Sequence, residues 1–206
     1  SMFQYCSNRI PEITDAFYKI DDAMKAGFGW ENGPFEIWDA IGIEKGIELM
    51  KAEGYQPASW VTDMLASGNT SFYSVKDGAT HFYSITNKKV EKVPGQDAFI
   101  ILNNIRESKK IWNNSDSIIT DLGDGIINLE FTSKMNSIGA GVLQGINKAI
   151  DIAEKDYNGL VIGNQGANFS VGANLGMIFM MAVEQEYDEL NMAIKMFQDT
   201  MMRCRY

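Results

Sequence analysis

Chemistry in this chain has few places to come from. The run Asn164-Gln-Gly-Ala-Asn-Phe-Ser-Val-Gly-Ala-Asn-Leu-Gly176 follows a short apolar segment, Leu160–Gly163, and precedes a helical pattern. A glycine-containing loop in that place presents backbone N–H groups at a helix N-terminus, where they can hold a developing oxyanion. The same residues also suit an ordinary strand-to-helix connection. A second string, Gly139-Ala-Gly141-Val-Leu-Gln-Gly145, has glycine spacing like that of a phosphate-cradling turn. Residues 132–138 separate it from the strand before it, whereas a dinucleotide loop turns at once, and Asp151 and Glu154 fall inside the next helix rather than at a strand end. It reads as a helix start. The single histidine, His81, could act as a general base, but it lies in a strand pattern beside Phe82 and Tyr83 with no carboxylate at hand. One His with Cys6 and Cys204 near opposite ends cannot supply a zinc set, so no metal is expected.

The elements that would position these residues change rhythm along the chain. Ile13, Phe17, Ile20 and Met24 recur at helical spacing, with Pro11 as a start and Gly27-Phe-Gly29 as a stop. Further helices are expected from Pro34, over Ile43–Ala52, and over Trp60–Ala66. Phe72–Val75 and His81–Ile85 flank Lys76-Asp77-Gly78 and read as a β-hairpin. The polar stretch Asn87–Asp97, with Pro94-Gly95, reads as a linker. Beyond it come a strand pair, 117–120 and 126–131, around Asp124-Gly125, then a helix over 140–154. Leu160–Gly163 reads as a buried strand, and one Met-rich helix is expected over 177–202. The expected class is therefore α+β or α/β: a helical domain with a hairpin over residues 3–93, then an incomplete α/β domain over 98–206.

The densest string is Gly27-Phe-Gly-Trp-Glu-Asn-Gly-Pro-Phe-Glu-Ile-Trp-Asp-Ala-Ile-Gly42. By itself it describes a tight helix–loop–helix corner in which Gly29 and Gly33 permit turns and Phe35 and Trp38 fill one face. It also resembles the GF-x-W-E-x-GPFE-x-WD-x-IG pattern of 3-hydroxyacyl-CoA dehydrogenase C-terminal domains, with Asn8–Glu12 and Ile20–Met24 matching the preceding helix. The resemblance covers about residues 8–66. It implies a helical region that helps form dimer contacts and one wall of an acyl-CoA cleft, with the catalytic His–Glu pair and the NAD site upstream of these residues.

Phe169-Ser-Val-Gly-Ala-Asn-Leu175 is similar to the F-x-x-G-A/G-D-L loop of the enoyl-CoA hydratase/isomerase (crotonase) superfamily, and Ser133–Ile138 to that superfamily's first CoA-contacting loop. This second resemblance covers about 117–202. It implies that Ala173 donates a backbone N–H to a thioester oxygen, as one half of an oxyanion hole. Gly172, Ala173, Asn174, Leu175 and Gly176 would line the CoA and acyl entrance, and the backbone of Lys134, Met135 and Asn136 would face the adenine and ribose. Asn174 stands where the superfamily has Asp. The second oxyanion loop and the catalytic glutamates would follow Tyr206. Together the two resemblances imply a fragment of a fused β-oxidation protein whose parent hydrates 2-enoyl-CoA and oxidises 3-hydroxyacyl-CoA with NAD. The fragment alone is expected to be inactive.

Composition narrows the partners. The net charge is −9, spread as 9 basic against 13 acidic residues over 1–96 and 9 against 14 over 97–206. No basic stripe invites duplex nucleic acid, and no apolar run nears the ~18 residues of a membrane span. A cytoplasmic homo-oligomer that binds a coenzyme A thioester is expected, with free cysteines. A complete, non-catalytic acyl-CoA-binding or assembly module is the alternative.

Overall fold

The computed structural model describes residues 1–205, and the chain divides into two compact units, Ser1–Phe99 and a second beginning at Ile100. The first holds α1 (Met2–Asn8), α2 (Tyr18–Phe28), α3 (Pro34–Ile41), α4 (Ile43–Ala52) and α5 (Ser59–Ala66), then β1 (Tyr73–Lys76), β2 (Ala79–Ser84) and β3 (Lys89–Lys92). The strands form one antiparallel sheet in the order β1-β2-β3. Asp77 and Gly78 both have positive φ, 52° and 75°, which closes the β1–β2 hairpin with the twist the strands need. The core is aromatic: Phe17, Phe35, Trp38 and Phe72 are fully or almost fully buried, and Phe17 meets Phe35, Phe72 and Phe82 at ring centroid distances of 5.1, 5.4 and 5.8 Å.

Three expectations change here. The stretch read as a linker carries β3, whose Val90 and Glu91 pair with Tyr83 and Phe82. Helix α2 begins at Tyr18, not Pro11, so Ile13 is exposed rather than part of the core stripe. Gly33 has φ −77° and needs no left-handed backbone. It is small because an added Cβ would fall 2.3 Å from the Cβ of Asp21.

The second unit holds α6 (Leu102–Ile105), β4 (Lys110–Asn113), β5 (Ser117–Gly123), β6 (Ile126–Phe131), a 3-10 turn (Lys134–Asn136), α7 (Ala140–Asp156), β7 (Gly159–Ile162), α8 (Leu175–Val183) and α9 (Tyr187–Arg203). The sheet order is β4-β5-β6-β7; the first three strands are antiparallel, and β7 runs parallel to β6 after the α7 crossover. Ile127, Leu129 and Phe131 on one face of β6 pack against Val142, Leu143, Ile146 and Ala149 of α7. The opposite face carries Glu130, buried and held by both Arg106 Nε (3.1 Å) and Nη2 (2.7 Å). Strand β7 is an edge strand with Val161 exposed, not the fully buried strand its apolar run suggests. The expected single helix over 177–202 is two, broken where Gln185 takes φ 60°.

Glycines at close contacts give a direct test of this packing. A Cβ on Gly46 would lie 2.2 Å from the indole nitrogen of buried Trp38, which donates to the Ile43 carbonyl at 3.1 Å. Gly46→Ala is expected to destabilise the first unit by about 1–3 kcal/mol through overpacking. Gly27→Ala, where nothing lies within 4 Å, should be neutral or add up to ~1 kcal/mol from helix propensity. Urea unfolding of the two variants measures the contrast.

Candidate functional site

Two loops leave the carboxyl ends of the parallel strands β6 and β7 and meet. Open parallel sheets bind ligands at such ends, because there the crossover connections leave a crevice lined by backbone. The first loop contains the 3-10 turn, in which Met135 and Asn136 both have positive φ, 56° and 55°. The second runs from residue 163 to Asn174. Ile138 pairs with Ala173 in a parallel bridge, and the Ile138 N–H donates to the Gly172 carbonyl at 2.8 Å. Asn136 Nδ2 donates to the Asn168 carbonyl (3.0 Å), and the Ser170 hydroxyl donates to the Asn136 carbonyl (2.6 Å) while accepting from the Gly172 N–H (3.0 Å). Asn164 ties the second loop back to the sheet: its carbonyl accepts from the Phe131 N–H and its amide donates to the Phe169 carbonyl, both at 2.7 Å.

The structure thus brings Lys134, Met135 and Asn136 beside Gly172 and Ala173. Gly172 has φ 81°, a backbone state that suits glycine. The Ala173 N–H has no acceptor among the described residues. Asn174 caps α8, its side-chain oxygen accepting from the Met177 N–H at 3.3 Å, so the amide does the work an aspartate would do there. Leu175 and Gly176 form the exposed first turn of α8. Lys134 is exposed and makes no ion pair among the described residues. No carboxylate or imidazole is hydrogen-bonded into the junction among those residues. What it offers is a backbone donor, a lysine and a polar latch, groups that can bind and polarise a carbonyl.

The latch of Asn164, Asn168 and Ser170 was not singled out by sequence. The one available signal was the excess of Asn and Ser in a loop between two elements, residue types that bond to backbone wherever loops need fixing.

The other candidates resolve as structure. An added Cβ on Gly141 would lie 2.2 Å from an Asp116 carboxylate oxygen, and one on Gly145 2.1 Å from the Ser117 hydroxyl. These glycines let α7 press onto the start of β5, which explains their spacing without a nucleotide. His81 lies on β2 opposite Ser74 and Lys92, its Nδ1 3.1 Å from the Ala79 carbonyl, with no carboxylate partner among the described residues. Both cysteines are free thiols, and among the described residues no three His, Cys, Asp or Glu side chains gather as a metal site.

The Gly27–Gly42 string is a joint. Asp21 of α2 is completely buried and accepts from the Phe35 N–H (2.9 Å), the Glu36 N–H (3.1 Å) and the Tyr73 hydroxyl (2.7 Å). It therefore caps α3 from a neighbouring helix and ties both to the sheet. Glu36 accepts from the Gly33 N–H (2.7 Å) and from Lys25 (2.7 Å), and Asp39 accepts from the Phe72 and Tyr73 N–H groups at 2.8 and 2.9 Å. Burial pushes the Asp21 carboxyl up to about 6 despite these donors, helped by the nearby charge of Glu36. Burial also raises Asp39, and burial together with Asp21 raises the Tyr73 phenol. For Lys25 burial acts downward, but Glu36 and Asp22 outweigh it and its pKa rises.

Against known proteins, the chain is 42% identical over 203 residues, 98% of its length, to a "Probable 3-hydroxyacyl-CoA dehydrogenase" of Bacillus subtilis. It is 26% identical over 204 residues, 99% of its length, to a "Putative fatty acid oxidation complex trifunctional enzyme" of Rickettsia felis, and 26% identical over 202 residues, 98% of its length, to the protein of the same description in Rickettsia prowazekii. The chain spans about a quarter of the length of these curated relatives, 26% of the first and 25% of the other two. No family model matches the chain, and no solved structure matches it.

Asp21 supplies a pH signature. An aspartate ordinarily titrates near ~3.9, and in the folded chain this one titrates at about 6. The folded state holds the proton more tightly, so the contribution is fully present below about pH 4 and is lost as pH rises through about 6. Relative to Asp21→Asn, the wild-type chain is expected to lose roughly 2–3 kcal/mol of stability across that window. Denaturation of both proteins at a series of pH values checks it; a difference that stays constant from pH 4 to 7 would refute the shift.

Proposed function

We propose that this chain works in fatty-acid β-oxidation as part of a larger protein that binds acyl-CoA thioesters. The observation that carries the reading is the Ile138–Ala173 junction, which sets a backbone N–H without an internal acceptor beside an exposed lysine at the carboxyl ends of two parallel strands. Similarity over 98% of the chain to a protein named as a 3-hydroxyacyl-CoA dehydrogenase supports it from a separate direction. On this reading residues 3–93 are the helical C-terminal part of the dehydrogenase, furnishing dimer contacts and a substrate wall. Residues 98–206 are the N-terminal half of a crotonase-like hydratase domain. The parent oxidises 3-hydroxyacyl-CoA with NAD, bound by other residues than these, and hydrates 2-enoyl-CoA without a metal. On this reading the protein works in the cytoplasm; no helix of the described residues is long and apolar enough to cross a membrane.

In the thioester complex the Ala173 N–H donates to the thioester oxygen, where negative charge grows when the conjugated double bond is attacked. The backbone of Lys134, Met135 and Asn136 faces the adenine and ribose of coenzyme A, with Asn136 held in place by Ser170 and Asn168. The Asn174 cap sets the first turn of α8, so that Gly172, Leu175 and Gly176 border the entrance. With no acid or base bonded into the junction among the described residues, these residues polarise the thioester without adding water. That last point also favours a second reading, a non-catalytic acyl-CoA-binding or assembly module.

Titration of ¹⁵N-labelled chain with crotonyl-CoA tests the assignment. The amides of Ala173 and of 134–136 are expected to shift together, whereas free coenzyme A moves only the latter. Lys134→Glu should weaken binding roughly tenfold, ~1.4 kcal/mol. Neither enoyl hydration nor NAD-linked oxidation should exceed buffer. Shifts confined to other residues, or turnover abolished by changing His81, would overturn the reading.

A further inference from the structure

The loop over 163–174 carries the Ala173 N–H near its far end, and its hydrogen bonds to Asn136 and Ile138 tie it to the 134–136 loop. Two loops joined to each other can still move as one body. The donor's direction is therefore set by whatever ties them to the frame of the unit. Three consecutive residues make such ties. The Gly163 N–H donates to the Leu129 carbonyl (3.1 Å), and the Gly163 carbonyl accepts from Asn128 Nδ2 (3.1 Å). Asn164 holds the Phe131 N–H. Gln165 Oε1 accepts from the Asn103 N–H at 2.9 Å. The first two residues reach β6, and Gln165 reaches across to α6.

A tie to α6 steadies the loop only if α6 is itself fixed. Arg106, which follows α6, directs Nε and Nη2 at the two carboxylate oxygens of Glu130, at 3.1 and 2.7 Å. The Glu130 side chain is 2% exposed, and its neighbour on β6 is Phe131, whose N–H Asn164 holds. The contacts thus close on themselves, from Glu130 through Arg106, α6, Gln165 and Asn164 back to Phe131. A buried ion pair is a weak way to stabilise a sheet, since apolar residues of similar volume often do as well or better. What it supplies is direction: two parallel N–H···O bonds fix the guanidinium plane, and a carboxylate this buried is costly to leave unpaired. We propose that Gln165 and the Arg106–Glu130 pair are positioning residues, which brace the 163–174 loop through α6 and so set the direction of the Ala173 N–H. The consequence for a ligand rests on the thioester assignment of the junction; the brace itself is a property of the free chain.

Amide hydrogen exchange of the ligand-free, full 206-residue chain reads the brace. Gln165 is exposed, so Gln165→Ala leaves the core intact. It is expected to speed exchange of the Ile138 N–H, which donates to the Gly172 carbonyl, about fivefold, with interior α7 amides such as that of Ile146 unchanged. Gln165→Glu keeps an acceptor oxygen and should exchange at the wild-type rate. Arg106→Lys keeps Glu130 paired but loses the two-pronged geometry, and should raise the Ile138 rate by a similar factor. Crotonyl-CoA labelled with ¹³C at the thioester carbonyl reads the consequence. At saturation its resonance should move downfield on wild type and about half as far on Gln165→Ala, while the 134–136 amides shift equally in both. Ile138 exchange that is the same in Gln165→Ala and wild type, or a carbonyl displacement that Gln165→Ala leaves unchanged, would overturn the proposal. A carbonyl that does not move on wild type overturns the thioester assignment instead, and the exchange rates still decide the brace.

Discussion

The first unit depends on a carboxylate that burial disfavours. Asp21 has no exposed surface, yet three donors from two other elements converge on it: two N–H groups at the start of α3 and the hydroxyl of Tyr73 on β1. Taking a carboxylate out of water costs several kcal/mol unless hydrogen bonds replace the lost hydration. Here the helix N-terminus supplies them, since its first N–H groups lack intrahelical partners and would otherwise go unsatisfied. Two groups that are each costly to bury satisfy one another. The geometry leaves no room beyond Gly33 for a side chain on the approach, and it fixes where α3 must enter. Once α3 is fixed, Phe35 and Trp38 point into the core, and Asp39 reaches the Phe72 and Tyr73 amides to dock the sheet.

The second unit is organised by the parallel crossover from β6 to β7. Because β6 and β7 run the same way, the segments leaving them emerge at the same end, and α7 between them covers one face of the sheet. Gly141 and Gly145 permit that cover to sit close to Asp116 and Ser117. Asn114 reinforces the contact by donating to the Gly141 carbonyl at 2.8 Å. The meeting of the 134–136 turn with Gly172 and Ala173 therefore follows from topology, and the asparagine–serine latch refines it to hydrogen-bond precision. On the outer side of α7, Asn147 donates to Thr200 and accepts from Arg203, which also pairs with Asp151, so polar groups hold α9 alongside Phe197 and Met201, which pack against the core.

Legibility in the sequence followed locality. Asp77-Gly78 and Asp124-Gly125 announced their turns because positive φ at two successive positions is a demand that few residue pairs meet. Pro34, α4 and α7 were readable for a similar reason: first-turn chemistry and a 3.6-residue stripe are written within a dozen residues. Strands β3 and β4 were not, since Lys89–Lys92 and Lys110–Asn113 are polar edge strands whose identity lies in partners elsewhere in the chain. The break between α8 and α9 carries neither Gly nor Pro, and Gln185 there takes the left-handed state, φ 60°. Gly33 was legible as special but for the wrong reason, because its neighbour Asp21 is twelve residues away and the constraint is a contact, not a dihedral angle. At the candidate site the two loops could be read from their place after strands, but not the side chains that fasten one loop to the other.

The most conspicuous motif and the proposed thioester site therefore lie in different units, and hydrogen-bond accounting explains why. In the Gly27–Gly42 string the inward-facing polar side chains have internal partners, while Glu31 and Asn32 stay exposed: Glu36 caps Gly33 and pairs with Lys25, Trp38 donates to Ile43, and Asp39 receives two amides. Groups so engaged hold a shape and have little left for a ligand. The plainer loop after β7 differs in one respect: Asn164, Asn168 and Ser170 fasten the backbone, while the Ala173 N–H keeps no acceptor among the described residues. A rigidly held donor without an internal partner is what stabilisation of a developing charge requires, since its orientation need not be reorganised when the ligand arrives. Density of recognisable residues thus marks where this chain fixes its fold, and an unengaged N–H within a fastened loop is what carries the proposed thioester site.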